Sequence, residues 1–132
     1  MIALDTNVLV RYMMQDDPKQ SPRATRLIEA LSGEDPGFVP LVATVELVWV
    51  LSGSYGLGRA QVSEALDGLL RSKELRLDRA DVVMQALRRF STGGADFADC
   101  LIERIAAGAG CTDTMTFDAG AARSAGMRLI GA

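Results

Sequence analysis

The sequence contains no histidine, which excludes Ser-His-Asp triads, imidazole acid–base catalysis and imidazole metal ligation together. Cysteine is scarce. Cys100 and Cys111 are the only two, too few for a disulfide framework or a zinc site, and both read as buried free thiols. No apolar run approaches the roughly 20 residues of a membrane-spanning helix. The first residues lack the basic stretch and apolar core of a secretion signal, so the expected location is the cytoplasm, with no membrane association. Positive charge is short as well: 14 lysines and arginines against 17 carboxylates leave a net charge of −3, the reverse of the basic footprint usual in nucleic-acid binders. Carboxylates gathered around a metal ion would not count as surface charge, so that class stays open. Lys19 and Lys73 are the only lysines; the arginine that dominates the basic residues suits phosphate contacts and equally reflects a composition bias.

What is present is a chain of 132 residues, 48% hydrophobic, read as a single domain over 1–132 that can bury a sizeable core. Short apolar strands alternate with helical patterns. Ile2–Leu4 reads as a buried strand, and Asn7–Met14 as a short helix ending near Asp16-Asp17-Pro18. Ser21 as cap and Pro22 in the first turn start a second helix, which Gly33 closes. Gly37–Pro40 is a second strand and Val42–Leu51 a very apolar helix. Gly58–Lys73 and Arg79–Phe90 are amphipathic helices around a short strand, Leu75–Leu77. Asp96–Ala107 is helical, and strands Cys111–Thr116 and Met127–Ile130 flank a short helix over Asp118–Ser124. This alternation predicts an α/β fold, a central parallel sheet flanked by helices on both faces. Ligands bind such sheets at the carboxyl ends of the strands.

Several carboxylates stand in apolar surroundings. Asp5 ends the first strand, in LDTN. Glu46 is the only charged residue from Phe38 to Leu51, in FVPLVATVELVWVL; on a helix it shares a face with Val42, Trp49 and Val50. An unpaired ionised carboxylate costs several kcal/mol to bury, in rough terms, so either a buried arginine or a functional role must account for it. In GADFADCLIERIAAGAG, helical spacing puts Asp96, Asp99 and Glu103 on one face and Phe97, Leu101, Ile102 and Ile105 on the apolar side. That face is either a solvated acidic one or a ligand-bearing one. In CTDTMTFDAG, Asp118 follows a strand and precedes a helix, as Asp5 does, and an N-cap is its simplest structural role. Asp113, inside the strand-like run, ranks below it. Asp5 and Asp118 fall at the carboxyl edge of the predicted sheet, and Glu46 and Asp99 fall near the starts of covering helices. Carboxylates brought together there repel unless a cation lies between them. With oxygen donors alone, that cation is hard, Mg²⁺ or Mn²⁺, the kind that activates water for attack on a phosphate.

Taken in order, LDTNVLVRYM, the lone glutamate of TVELVWVL, the helix start ADFADCLI and the strand end TFD resemble the PIN-domain ribonucleases. They are especially similar to the VapC-type toxins of bacterial toxin–antitoxin modules. The resemblance covers essentially the whole chain. It implies an Mg²⁺- or Mn²⁺-dependent endoribonuclease that hydrolyses RNA phosphodiesters, often as a homodimer, and is inhibited by a cognate VapB-like antitoxin. It carries the family's acidic quartet over to Asp5, Glu46, Asp99 and Asp118, as metal ligands and catalytic residues. Thr6 and Asn7 match the polar pair after the first aspartate, and Thr116 the threonine of the last motif. Asp99 takes the third position because the family's aspartate stands directly before a small-apolar-apolar run, here Cys100-Leu101-Ile102. Asp96 remains the alternative ligand and is otherwise auxiliary. Arg11 is the candidate contact for substrate phosphate. The apolar helix around Val48, Trp49 and Leu51, with the surface of the early helices, is expected to form a groove for an apolar antitoxin segment. Two other classes compete: a PIN-like module that binds RNA or protein without catalysis, and a haloacid-dehalogenase-type phosphatase. The phosphatase usually carries a second aspartate two positions after the first, where this chain has Asn7. A phospho-receiver domain is weaker still, lacking a lysine near the last strand.

Overall fold

The computed structural model describes residues 1–131. The chain divides into two compact units, Met1–Ala80 and the segment from Asp81 onward. All strand pairs are parallel and helices flank them, the α/β arrangement expected. The hydrogen bonds divide the strands into a three-stranded and a two-stranded sheet.

In the first unit the elements are β1 (Ile2–Ala3), α1 (Thr6–Met14), α2 (Gln20–Glu29), β2 (Gly37–Val39), α3 (Leu41–Trp49), a π-helical turn (Val50–Ser54), α4 (Arg59–Arg71) and β3 (Leu75–Leu77). Strand order is β1-β2-β3, with Ile2 opposite Gly37 and Gly37 opposite Leu75. Leu4, Leu9, Val39, Leu47, Leu51, Val62 and Leu66 form the core. A Cβ on Gly37 would stand 2.8 Å from Leu31 Cδ1 and 2.9 Å from Leu4 Cδ1, so glycine lets β2 lie against leucines that any side chain would displace. Ile2 is 45% exposed and only Leu4 is sealed, so the first strand is less buried than its composition predicts. The second helix also starts and stops differently. Asp17 Oδ1 accepts from the Lys19 and Gln20 amides at 2.9 and 2.7 Å, which makes Asp17, rather than Ser21, the capping side chain. The buried Ser21 hydroxyl instead accepts from the Asp17 amide. The helix ends at Glu29, short of Gly33.

The second unit holds α5, which begins at the boundary (Ala80–Thr92), α6 (Phe97–Gly108), β4 (Met115–Thr116), α7 (Ala119–Ser124) and β5 (Arg128–Leu129). Here β4 pairs with β5, Met115 opposite Arg128, and α7 is the crossover between them. Phe90 of α5 meets Phe97 of α6 edge to face, centroids 5.8 Å apart, a geometry that adds to simple area burial. Arg89 ties three elements: Nη1 donates to the Ala125 carbonyl at 2.6 Å and pairs with Glu103 at 3.3 Å. Gly126, at φ 76°, has the left-handed backbone that favours glycine, and a Cβ there would also displace that same Nη1. Cys100 is buried as expected; Cys111, in the polar loop after α6, is exposed. Ile102, expected on the apolar side of α6, is also exposed. Among the described residues no helix is long and apolar enough to cross a membrane.

Candidate functional site

β1 leads into Leu4, which is 2% exposed, and the next residue leaves the strand as the N-cap of α1. Asp5 has extended backbone (φ −77°, ψ 158°), and its Oδ1 accepts from the Thr6 amide at 2.7 Å, satisfying one of the helix's orphan donors. Thr6 is buried, and its hydroxyl donates to Glu46 Oε1 at 3.0 Å across a separation of 40 residues. Asp5 and Glu46 thereby face one cleft of about 410 Å³, with Leu4, Pro40 and Val42 in its walls. Glu46 is not buried, and among the described residues no arginine is paired with it. α3 turns Ala43, Thr44, Leu47 and Val48 inward, and Val42, Glu46 and Trp49 outward; Trp49 is 63% exposed. Val48 and Leu51, expected to contribute exposed groove surface, belong to the core, because the helical period hides two faces inside one apolar run.

In the second unit Asp96 is the N-cap of α6 without a side-chain capping bond, and Asp99 sits in the first turn. Asp118 caps α7, its Oδ1 accepting from the Gly120 and Ala121 amides at 2.8 and 3.4 Å. Thr116 Oγ1 accepts from the Asp118 amide at 3.0 Å, which fixes the turn between β4 and that cap. Burial pushes the Asp99 carboxyl above its ordinary value, and the negative charges of Asp96 and then Asp118 push it further. One turn along, Glu103 behaves oppositely: a hydrogen bond from Arg104, 2.7 Å from Nε, leads the effects holding its carboxyl low, and Arg89 assists. Of the acidic residues expected on one face of α6, Asp96 and Asp99 therefore go with Asp118, and Glu103 serves an ion-pair network. Asp113 pairs with Arg128 at 3.5 Å.

Asn7, one residue past Thr6, lies outside this cleft and lines another, beside Arg11. Arg11 bonds to Gln20 and pairs with Asp16. Tyr55 and Arg23 near it carried no signal in the linear sequence, since only folding brings them to α1.

Among the described residues no group of three or more His, Cys, Asp or Glu side chains is arranged to hold a metal ion. The donor chemistry in each unit nevertheless fits a hard divalent ion. The donors are carboxylate oxygens with threonine hydroxyls beside them, the set that suits Mg²⁺ or Mn²⁺.

The PIN domain family matches residues 2–126, from β1 through α7. The chain belongs to the PIN-domain family. It is also similar to the VapC ribonuclease of Aquifex aeolicus (strain VF5), at 24% identity over 114 residues, which covers 86% of this chain and 84% of that one.

Proposed function

We propose that the protein is an endoribonuclease of the VapC type, a metal-dependent hydrolase of RNA phosphodiesters and the toxin of a toxin–antitoxin pair. The observation that carries the reading is the Thr6–Glu46 hydrogen bond. It joins the first motif to the lone glutamate of the second, in a chain of the PIN-domain family with a VapC ribonuclease among its relatives. Asp5, Glu46, Asp99 and Asp118 are each required for cleavage, as ligands of Mg²⁺ or Mn²⁺. When bound, such an ion lowers the pKa of a coordinated water and offsets the negative charge that develops on the phosphate. The chain's own residues supply orientation. Thr6 holds Glu46 in one rotamer through its hydroxyl and holds Asp5 through its amide. The amides at the start of α7 hold Asp118, and Thr116 holds the turn that presents it. Asp96 assists Asp99 by adding negative charge beside it.

The same reading carries a cytoplasmic homodimer and a cognate VapB-like antitoxin. A cavity of about 520 Å³ in the first unit, with Tyr12, Met13, Ile28 and Leu69 in its walls, suits an apolar antitoxin segment in place of the Val48–Leu51 surface.

The test is RNA cleavage by purified protein, with Mg²⁺ or Mn²⁺ and with chelator. Cleavage that needs the ion and is lost in Glu46→Gln supports the reading; cleavage indifferent to both sinks it. The competing reading is a PIN-like binding module without catalysis. RNA binding with no cleavage under any divalent ion would establish it.

A further inference from the structure

A separate cleft of about 280 Å³ is formed in the first unit by α1 and α2. Val8, Ala24 and Leu27 are its apolar part, and Arg11, Gln20 and Arg23 its polar part. No carboxylate is among its lining residues in the described chain, although the protein carries a net charge of −3.

The two arginines are prepared differently. Arg11 Nε donates to Gln20 Oε1 at 2.8 Å, and Nη1 stands 3.4 Å from Asp16 Oδ1. Asp16 is in turn held by Tyr55, whose hydroxyl donates to Oδ2 at 2.7 Å. Asp16 thus offsets part of the Arg11 charge while fixing the guanidinium plane. Arg23 is exposed and forms no ion pair among the described residues, so it supplies the uncompensated positive charge. Leu27 is 39% exposed, an open apolar surface beside that charge. Asn7 also lines the cleft, which places it two residues from Asp5 along α1.

We infer that the α1–α2 cleft is a nucleotide subsite for single-stranded RNA, taking the nucleotide beside the scissile phosphate. Its base lies on Val8, Ala24 and Leu27, its phosphate meets Arg23, and Arg11 is the oriented partner. The inference rests on the ribonuclease reading for the nature of the strand. Unstacked bases are commonly received by aromatic faces and guanidinium planes, here the plane of Arg11 beside the aliphatic wall, and backbone phosphates by unpaired cations. The volume lies just below the range of small-ligand pockets, which starts at about 300 Å³. That accommodates one nucleotide and is too little for a partner's helix.

The test is anisotropy with a labelled single-stranded RNA oligonucleotide, in a Glu46→Gln background to prevent turnover, across a salt series. Arg23→Ala should weaken binding several-fold and lower the slope of log affinity against log salt by about 0.7, one phosphate on a single strand. Arg23→Lys should keep the slope. Leu27→Ser should weaken binding and leave the slope unchanged. In the cleaving protein, Arg23→Ala should lower kcat/KM through KM. Both side chains are exposed, so the variants should melt as the parent does. Unchanged RNA affinity in both Arg23→Ala and Leu27→Ser overturns the subsite, as does loss of a protein partner with RNA binding intact. A parent that cleaves while the variants bind and cleave normally sinks the subsite alone. A parent that binds RNA through Arg23 and never cleaves it with Mg²⁺ or Mn²⁺ sinks the ribonuclease reading and leaves the subsite standing.

Discussion

Asp5 and Glu46 in the first unit and Asp99 in the second are organised by opposite means. In the first, hydrogen-bond donors come first: one threonine gives its amide to Asp5 and its hydroxyl to Glu46. In the second, Asp99 sits half-buried under the charge of Asp96 and Asp118, and its carboxyl is pushed up. Donors that fix a carboxylate's position prepare it to act as a ligand with little rearrangement. Like charges do the reverse, storing repulsion that only a proton or a cation relieves. The first unit is therefore expected to answer to changes in orientation, and the second to changes in charge.

The largest expected effect is on cleavage. Asp5→Asn and Glu46→Gln keep the shape of each side chain and remove its charge, and each should lower kcat/KM by more than about 100-fold, beyond the range typical of residues that only support a ligand. Thr6→Val should come next. The valine preserves the volume and the amide bond to Asp5 but loses the hydroxyl that holds Glu46, so a loss of about 10- to 100-fold is expected. Thr6→Ser, which retains the donor, should recover most of it. Full activity in Thr6→Val would show that Glu46 needs no orientation from α1.

Charge relief in the second unit should appear as stability. A carboxylate with a raised folded pKa binds protons more readily folded than unfolded. Its penalty is absent below the unfolded value and complete above the folded one, so metal-free stability falls as pH rises through that interval. Asp99→Asn should remove this dependence and stabilise the protein in chelator at neutral pH by up to about 1 kcal/mol, solvent screening included. Excess Mg²⁺ should stabilise the parent more than the variant, since an ion that binds only the folded state adds stability by mass action. Thermal melts of both proteins at several pH values, with chelator and with Mg²⁺, measure this. A less stable Asp99→Asn would make Asp96 the better ligand.

Much of this was legible in the linear chain, and the failures share a cause. Asp5 and Asp118 were recognisable at strand-to-helix junctions because a short apolar run, an acid and a helical pattern follow one another directly. Helix positions followed from local punctuation such as Pro18, Pro40 and Gly58. Exposure was harder to read. FVPLVATVELVWVL is uniformly apolar around Glu46, so composition suggested burial, whereas the 3.6-residue period places Val42, Glu46 and Trp49 on an open face. Residue type puts Cys111 in the interior, whereas its polar loop exposes it. The Tyr55–Asp16 bond spans 39 residues and leaves no periodic trace. Ser21 is the expected cap, yet the Lys19 and Gln20 amides turn to Asp17 instead. The division of the strands into two sheets depends on ladders only two or three residues long, too short for any pattern to mark.

The smallest expected effect contrasts the two capping aspartates. Asp5 accepts one amide and Asp118 accepts two, so an alanine at either position would lose a cap worth about 0.5–2 kcal/mol. Asparagine keeps the acceptor oxygen and caps about as well as aspartate. What it removes is the negative charge at a helix start, typically worth about 0.3–1 kcal/mol. At Asp5 that charge loss leaves Asp5→Asn slightly destabilising. At Asp118 the same change also removes one of the charges acting on Asp99, so the two effects oppose and Asp118→Asn should fall within about 0.5 kcal/mol of the parent. Urea melts of the two variants in chelator read the difference directly. Equal destabilisation in both would mean that Asp118 acts on the fold only as a cap and that its repulsion with Asp99 is screened away.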